Sequence, residues 1–284
     1  MHLIQHLVLT FSLISHPHDL SSNSLNTGEP SRPEMHYTDA GDTLELTSHF
    51  SRKVILEDSL MALYNSIGLE AYNLSYDVFR YGMIGYFNLK EDGRLSNDNI
   101  LSIIDFTKPS SQKRFYTIDL NTKKIRFYTY VSHGKNTGEN NAERFSNVLH
   151  SNQSSLGFYI TAETYIGSKG FSLKLDGIEK GYNDLMRERA VVMHEADYVS
   201  ERWIKDFGRL GRSQGCPALP KDISRDVIKN IKDRTLIFAY FNDTNYLNES
   251  LYLSMDTLLE KLESRLTTVI PPATISAFAT ISEP

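Results

Sequence analysis

A mainly β domain carrying a few helices is the expected fold of this chain, and three observations lead there. Sixteen tyrosines and fourteen phenylalanines against one tryptophan, with many Thr, Val and Ile, favour sheet over helix through the middle of the chain, because such side chains pack well on a pleated surface. Residues 114–120 and 125–131 alternate in character on either side of Asn121, Thr122, Lys123 and Lys124, the pattern of a hairpin. Short runs at 154–161, 164–167 and 171–175 then follow, with Gly170 between the last two, and such spacing indicates an all-β sandwich or barrel.

The elements follow in chain order. Residues 3–14 are mostly apolar, with Leu7, Val8, Leu9, Phe11, Leu13 and Ile14; that is the length of a signal-peptide core and too short for a membrane span. An export signal over 1–20 is therefore expected, although His2 and His6 stand where Lys or Arg is usual. Residues 21–48, rich in Ser, Asn, Pro, Gly and Asp, read as a linker. Val54, Ile55, Leu56, Leu60, Leu63, Tyr64 and Ile67 recur at helical spacing and Gly68 offers a C-cap, opening a helical extension over 49–96 in which residues 72–89 suit either a helix or a strand. A buried strand is expected at 100–106, ended by Pro109. The polar loop 132–147 follows the hairpin, and long loops of this kind carry function on a rigid scaffold. Ala190, Val191, Val192 and Met193 deliver His194 at the end of an apolar run. Helices are expected around 196–204 and 223–231, with a closing strand at 236–240. Residues 242–284 form an accessory tail holding one helix at 251–266 and the pair Pro271, Pro272.

Composition excludes several functions. The chain has 284 residues, 40% of them hydrophobic, and a net charge of −5; it can bury a proper core in one large or two modest domains. Without a broad basic field, neither nucleic acid nor an anionic membrane surface is an expected partner. One cysteine forms no internal disulfide. His133, His150 and His194 match no compact zinc spacing, so a metal enzyme is the weakest of the enzymatic readings, and no glycine loop for phosphate is present. No cofactor is implied.

The single cysteine is the centre of the chemistry. A lone thiol is by default a small buried hydrophobe, but Cys216 lies between Gly211, Gly215 and Pro217, with Arg212, Ser213 and Gln214 holding the turn near solvent. A thiol needs a base or a cation to become a nucleophile, and His194, 22 residues earlier, could take its proton and return one to a leaving amine. Backbone N–H groups of Gly215 and Cys216 are candidate donors to a developing oxyanion. Arg212 and Arg189, with Arg187 behind them, could hold a substrate carboxylate. An activated Cys216 should alkylate below the pKa of a free thiol.

His133-Gly134 with Asn136-Thr137-Gly138, Phe145-Ser146-Asn147, Ser154-Ser155-Leu156-Gly157, the run from Gly170 to Leu175, Met193-His194, Tyr198-Val199-Ser200 and the run from Gly211 to Pro217 together resemble the murein L,D-transpeptidase catalytic domain family, a branch of the YkuD-like enzymes. The resemblance covers about residues 97–241. It implies a β-sandwich catalytic domain acting outside the cytoplasmic membrane on peptidoglycan stem peptides through a cysteine acyl-enzyme. Carried onto this sequence, the nucleophile falls on Cys216 and the base on His194, with Ser213 and Gly215 shaping the oxyanion site. The wider YkuD pattern reads Ser/Thr-His-Gly-Cys, and Gln214 stands in place of that second histidine, with an amide that can still donate. His133 is expected near the site. The implied protein is an exported monomer, periplasmic or associated with the cell wall and without stable membrane insertion after signal removal. An L,D-carboxypeptidase with water as acceptor, or a cell-wall binding module without turnover, would share these features.

Overall fold

The computed structural model describes residues 40–269, with side chains from 50 to 265. The expected export signal, most of the linker and the Pro271, Pro272 pair lie outside the described residues. The chain divides into two compact units, one of residues 61–261 and one of residues 1–60 with 262–284. In the latter the described residues are helical, and Arg52 pairs with Glu263. Helix α1 (Ala40–Ile67) begins inside the stretch read as linker and ends where the cap was expected: Gly68 takes a φ of 73° and its N–H returns to the Tyr64 carbonyl at 3.2 Å.

The larger unit opens with a 3-10 turn (Leu69–Tyr72) and helix α2 (Tyr76–Glu91). This settles the ambiguous stretch as helix. Ser75 caps α2 by accepting the Val78 N–H at 3.4 Å, satisfying one of the donors that a helix start leaves free. Gly85 lets α2 press onto the sheet, since a Cβ there would lie 2.0 Å from the Phe158 ring. Phe158 in turn stacks on Phe238, with ring centroids 4.4 Å apart.

Eight strands form the sheet: β1 (Ile100–Asp105), β2 (Phe115–Asp119), β3 (Lys124–Thr129), β4 (Gly157–Gly167), β5 (Gly170–Gly177), β6 (Val192–Glu195), β7 (Ala218–Leu219) and β8 (Leu236–Tyr240). Their spatial order is β3-β2-β1-β8-β4-β5-β6-β7. The central β1 and β8 run parallel, Leu101 beside Leu236 and Ile103 beside Phe238, and every residue of both is buried. Strands covered on both faces carry such continuous apolar runs. Edge strand β3 alternates in exposure instead. The two ends of the sheet nearly meet: beyond β3, Ser132 N–H donates to the Ala218 carbonyl of β7 at 2.9 Å, and Gly134 bridges Ser213 in parallel. This near-closure draws the loop after β3 against the cysteine turn. The mainly β architecture with a few helices is the one expected.

Helices α3 (Glu201–Phe207) and α4 (Lys221–Ile231) flank β7. The first starts later than its hydrophobic pattern suggested, because Ala196 N–H is taken by the Leu219 carbonyl at 3.0 Å and the cap falls on Ser200. Helix α5 (Thr244–Glu249), a 3-10 turn (Leu251–Leu253) and helix α6 (Met255–Val269) complete the described chain. The stretch read as an accessory tail is tied into the larger unit: Asn88 donates to the carbonyls of Tyr252 and Ser254 at 3.0 and 3.1 Å.

Candidate active site

Gly215 has a φ of 121°, a conformation that side chains resist, and a Cβ there would press to 2.8 Å from the Gln153 carbonyl oxygen. Glycine is therefore required on both counts. Ser213 braces the same turn from inside. Its Oγ accepts the Gly215 N–H at 3.0 Å and donates to the Cys216 carbonyl at 2.7 Å, while its own N–H is held by the His133 carbonyl at 3.0 Å. The Gly215 N–H, expected as an oxyanion donor, is thus committed to Ser213. Among the described residues the Cys216 N–H has no hydrogen-bond partner, which leaves it as the donor of the expected pair that can serve. Ser154 adds a stitch, accepting from Gly134 N–H at 3.0 Å and donating to the Gly215 carbonyl at 3.3 Å.

The Cys216 sulfur is half-buried and rests on the start of β6, accepting the Val192 N–H at 3.4 Å and donating to the Ala190 carbonyl at 3.8 Å. Ala190 itself has a φ of 50°, so the residue that holds the thiol occupies backbone normally left to glycine. Burial pushes the thiol pKa up, against the opposing pull of Val192 N–H and the Arg189 charge. This desolvation runs against the expectation of a thiol that ionises early. This environment disfavours the thiolate.

His194 lies on β6, with its Cα paired to Ala218 of β7. Cys216 precedes β7 by two residues and its sulfur rests on the backbone of Val192, two residues before His194 on β6. No hydrogen bond joins thiol and imidazole among the described residues. His194 Nδ1 lies 2.7 Å from the Glu195 carbonyl oxygen; a carbonyl can only accept, so Nδ1 carries the proton and Nε2 keeps its lone pair. Burial chiefly, with the Lys169 charge, lowers the imidazole pKa. His194 is thus an imidazole whose Nδ1 is engaged by backbone and whose charged form is disfavoured.

The remaining predicted residues are placed in distinct roles. Gln214 is exposed at the apex of the turn. Arg212 donates to the Lys135 and Gly138 carbonyls at 3.1 Å each and to Glu139 at 2.6 Å. Arg189 donates to the Ser146 carbonyl and Ser155 Oγ at 2.6 Å, to the Gln153 carbonyl at 2.6 Å and to Ser151 Oγ at 3.2 Å. It is a clamp on the 146–155 loop whose charge also reaches the thiol. Arg187 pairs with Glu163 and Asp176 at the surface. His133 is 0% exposed. Its Nδ1 accepts from Arg114 at 2.9 Å and its Nε2 donates to the Glu139 carbonyl at 3.0 Å, so its ring is spent inside the wall and only its backbone reaches the cysteine turn. That burial corrects its assignment as a substrate-binding side chain.

Tyr198 escaped the sequence reading as a site residue. Its carbonyl accepts the Gly211 N–H at 2.8 Å, and burial, with the nearby Cys216, pushes its phenol up to about 12. The only signal was its place in the Tyr198-Val199-Ser200 motif. Among the described residues no group of three His, Cys, Asp or Glu could hold a metal ion, and no helix is long and apolar enough to cross a membrane.

A buried-edge thiol in a glycine turn, beside a strand that presents a neutral imidazole, is a constellation for acyl transfer. Residues 70–240 match the family model described as the L,D-transpeptidase catalytic domain. This chain belongs to the L,D-transpeptidase catalytic domain family. No curated protein matches the sequence. Among solved structures, this family member is similar to an L,D-transpeptidase from Mycobacterium smegmatis, at 12% identity and a TM-score of 0.32 over 50% of this chain and 59% of that one. Similar too are L,D-transpeptidase 1 from Mycobacterium tuberculosis, at 10% identity and 0.29 over 50% and 62%, and an L,D-transpeptidase from Xylanimonas cellulosilytica, at 12% identity and 0.29 over 50% and 60%. The chain thus spans about three fifths of the length of each.

Proposed function

We propose that this L,D-transpeptidase family member is a cysteine acyltransferase acting on peptidoglycan stem peptides, with Cys216 as nucleophile and His194 as general base. The observation that carries the reading is the neutral His194, its Nδ1 held by the Glu195 carbonyl, on the strand against whose first residue the Cys216 thiol rests after a positive-φ glycine. Rotation about the Cys216 Cα–Cβ bond frees the sulfur from the Ala190 carbonyl toward the imidazole. His194 Nε2 takes the thiol proton as sulfur bonds to the carbonyl carbon that follows an L-centre. The Cys216 N–H stabilises the developing oxyanion. The C–N bond then breaks, and His194 returns the proton to the departing amine, leaving a thioester. An acceptor amine attacks that thioester, gives its proton to His194, and releases sulfur as thiolate to be reprotonated. Gln214, exposed beside the nucleophile, offers its amide to the bound peptide, and Arg212 and Arg189 set the walls of the loop around it.

The family and this chemistry together support action outside the cytoplasmic membrane, at the cell wall. The test is mass spectrometry of tetrapeptide muropeptides incubated with the protein. Cross-linked or exchanged products are expected from the wild type and none from Cys216→Ala, with His194→Gln slowed by roughly 100-fold or more, as for loss of a general base. Tripeptide alone would assign water as the acceptor and make the enzyme an L,D-carboxypeptidase. Identical products from wild type and Cys216→Ala would overturn the reading, and sacculus binding without turnover would replace it with a binding module.

A further inference from the structure

The seam between the two ends of the sheet is incomplete. β3 is joined to β7 by the Ser132 N–H on the Ala218 carbonyl, at 2.9 Å, and by the bridge between Gly134 and Ser213, but the joint stops at Pro220. That residue has no N–H to give, and its carbonyl is taken by the Ser224 N–H at 2.9 Å as α4 begins. The chain turns away from β3 there, and a cleft of about 530 Å³ opens between Lys113, residues 128–130 and parts of 196–201 and 220–223. Its β3 wall is an unpaired strand edge. Among the described strands β3 pairs only with β2, toward which the Thr129 carbonyl points, accepting the Arg114 N–H at 3.1 Å. Ser132 N–H points the other way, to β7. Main-chain groups alternate in direction along an antiparallel strand, so the N–H and C=O of Tyr128 and Tyr130 share the outward side of Ser132, and they have no backbone partner there among the described residues.

The charges around this edge favour a cation. The carboxylates of Asp197, Glu201 and Asp222 line the cleft against the ammonium groups of Lys113 and Lys221. Lys221 is matched by Asp197 at 3.4 Å. Lys113 lies 5.7 and 6.0 Å from the ring centroids of Tyr128 and Tyr130, and Tyr128 is itself stacked on Tyr116 at 5.0 Å, so the rings form a fixed platform with that cation settled on it. Glu201 and Asp222 make no ion pair among the described residues. We propose that the cleft is an interaction surface for an extended peptide with basic side chains, bound as an added strand on Tyr128 and Tyr130 with its cations on Glu201 and Asp222. Strand addition draws affinity from main-chain bonds and selectivity from alternate side chains. Such a peptide continues the closure that Pro220 ends, and its binding is independent of the proposed acyl transfer.

The probe is a capped, fluorophore-labelled peptide of alternating lysine and valine, titrated into the full chain at low salt and followed by anisotropy. N-methylation of all its amides should weaken binding by about tenfold or more, as for the loss of several main-chain hydrogen bonds. Glutamate in place of lysine should weaken it by about tenfold or more as well. Glu201→Gln combined with Asp222→Asn should weaken the lysine peptide by about threefold or more and flatten its salt dependence. In the unsubstituted protein, hydrogen exchange at the Tyr128 and Tyr130 amides should slow by about tenfold or more when the peptide is bound, a readout that requires no variant to fold. Absence of binding, equal affinity for the N-methylated peptide, or unchanged exchange at those two amides would overturn strand addition. Equal affinity for the lysine and glutamate peptides would overturn the preference for a basic partner. Exchange that slows without peptide as the protein is concentrated would give the cleft to a second copy of this chain and overturn the proposal too.

Discussion

At the scale of single residues, the site is built from groups held in their neutral forms. Burial raises the Cys216 pKa, and burial with the Lys169 charge lowers that of His194, so both environments disfavour the charged form. His133 takes the same principle furthest. Burial and the adjacent Arg114 guanidinium hold its pKa at about 3, against an ordinary value near 6.5. Its folded pKa is depressed, so the unfolded chain binds a proton that the folded chain refuses between those two values; stability is full above about pH 6.5 and falls as pH drops toward 3. The slope from this one residue is about 1.4 kcal/mol per pH unit. Urea unfolding midpoints measured from pH 7 to 4 should therefore decline, and His133→Asn, which keeps a polar group without the titration, should flatten that decline while costing stability at pH 7. An unchanged slope in the variant would show that other groups drive acid unfolding. None of this was legible in the chain: His133 stood in a long polar loop like any candidate ligand, and only Arg114 at its Nδ1 reveals that its ring is spent. Tyr198 was invisible for the same reason, since its place against the cysteine turn comes from the fold and not from neighbours in sequence.

At the scale of elements, the strands and the cysteine turn were readable because their signals are local. β1, β8 and the β2–β3 hairpin announce themselves as apolar or alternating runs, and Gly215-Cys216-Pro217 fixes a turn by its own stereochemistry. The start of α1 at Ala40 was not readable, because its first residues lack an apolar stripe and resemble linker. The 146–155 loop is the element whose purpose needed the fold. Its inward carbonyls, at Ser146 and Gln153, converge on Arg189 from 36 or more residues away in sequence, and the Gly215 turn packs directly on Gln153. Arg189→Met should strip four hydrogen bonds and release this loop, with hydrogen exchange over 146–153 accelerating by about tenfold or more, as expected for loss of roughly 1.5–3 kcal/mol of charge-assisted bonding. Strands β1 and β8 should keep their protection. Arg189→Lys should fail to restore the loop, because one ammonium cannot span acceptors that a planar guanidinium reaches together. Unaltered exchange in 146–153 would mean that the loop is held by its own turns.

At the scale of the whole molecule, the larger unit is fastened by a buried carboxylate at the junction of sheet and C-terminal segment. Glu179 is 6% exposed and accepts from Phe158 N–H at 2.7 Å, from Tyr246 Oη at 2.9 Å and from Ser250 Oγ. Phe158 lies on β4 and Tyr246 on α5, so the same group ties a central strand to residues beyond the 70–240 family match. Desolvation raises the Glu179 pKa while hydrogen bonds with Ser250, Phe158, Tyr246 and Asn183 oppose the rise, and a buried acceptor in this balance is sensitive to the loss of any one of them. Tyr246 is fully buried, so Tyr246→Phe removes the donor without changing shape. The cost should be about 1.5–3 kcal/mol, the worth of a hydrogen bond to a charged group, or a fall in Tm of roughly 4–10 °C for a domain of this size. Glu179→Gln combined with Tyr246→Phe should cost less than the two single changes added, because each already removes the same contact. If the losses add, the Tyr246 hydroxyl contributes independently of Glu179 and the carboxylate is held from the sheet side. If they do not, the segment after Tyr240 is part of the catalytic unit's stability, and a chain ending there should lose cooperative unfolding together with activity.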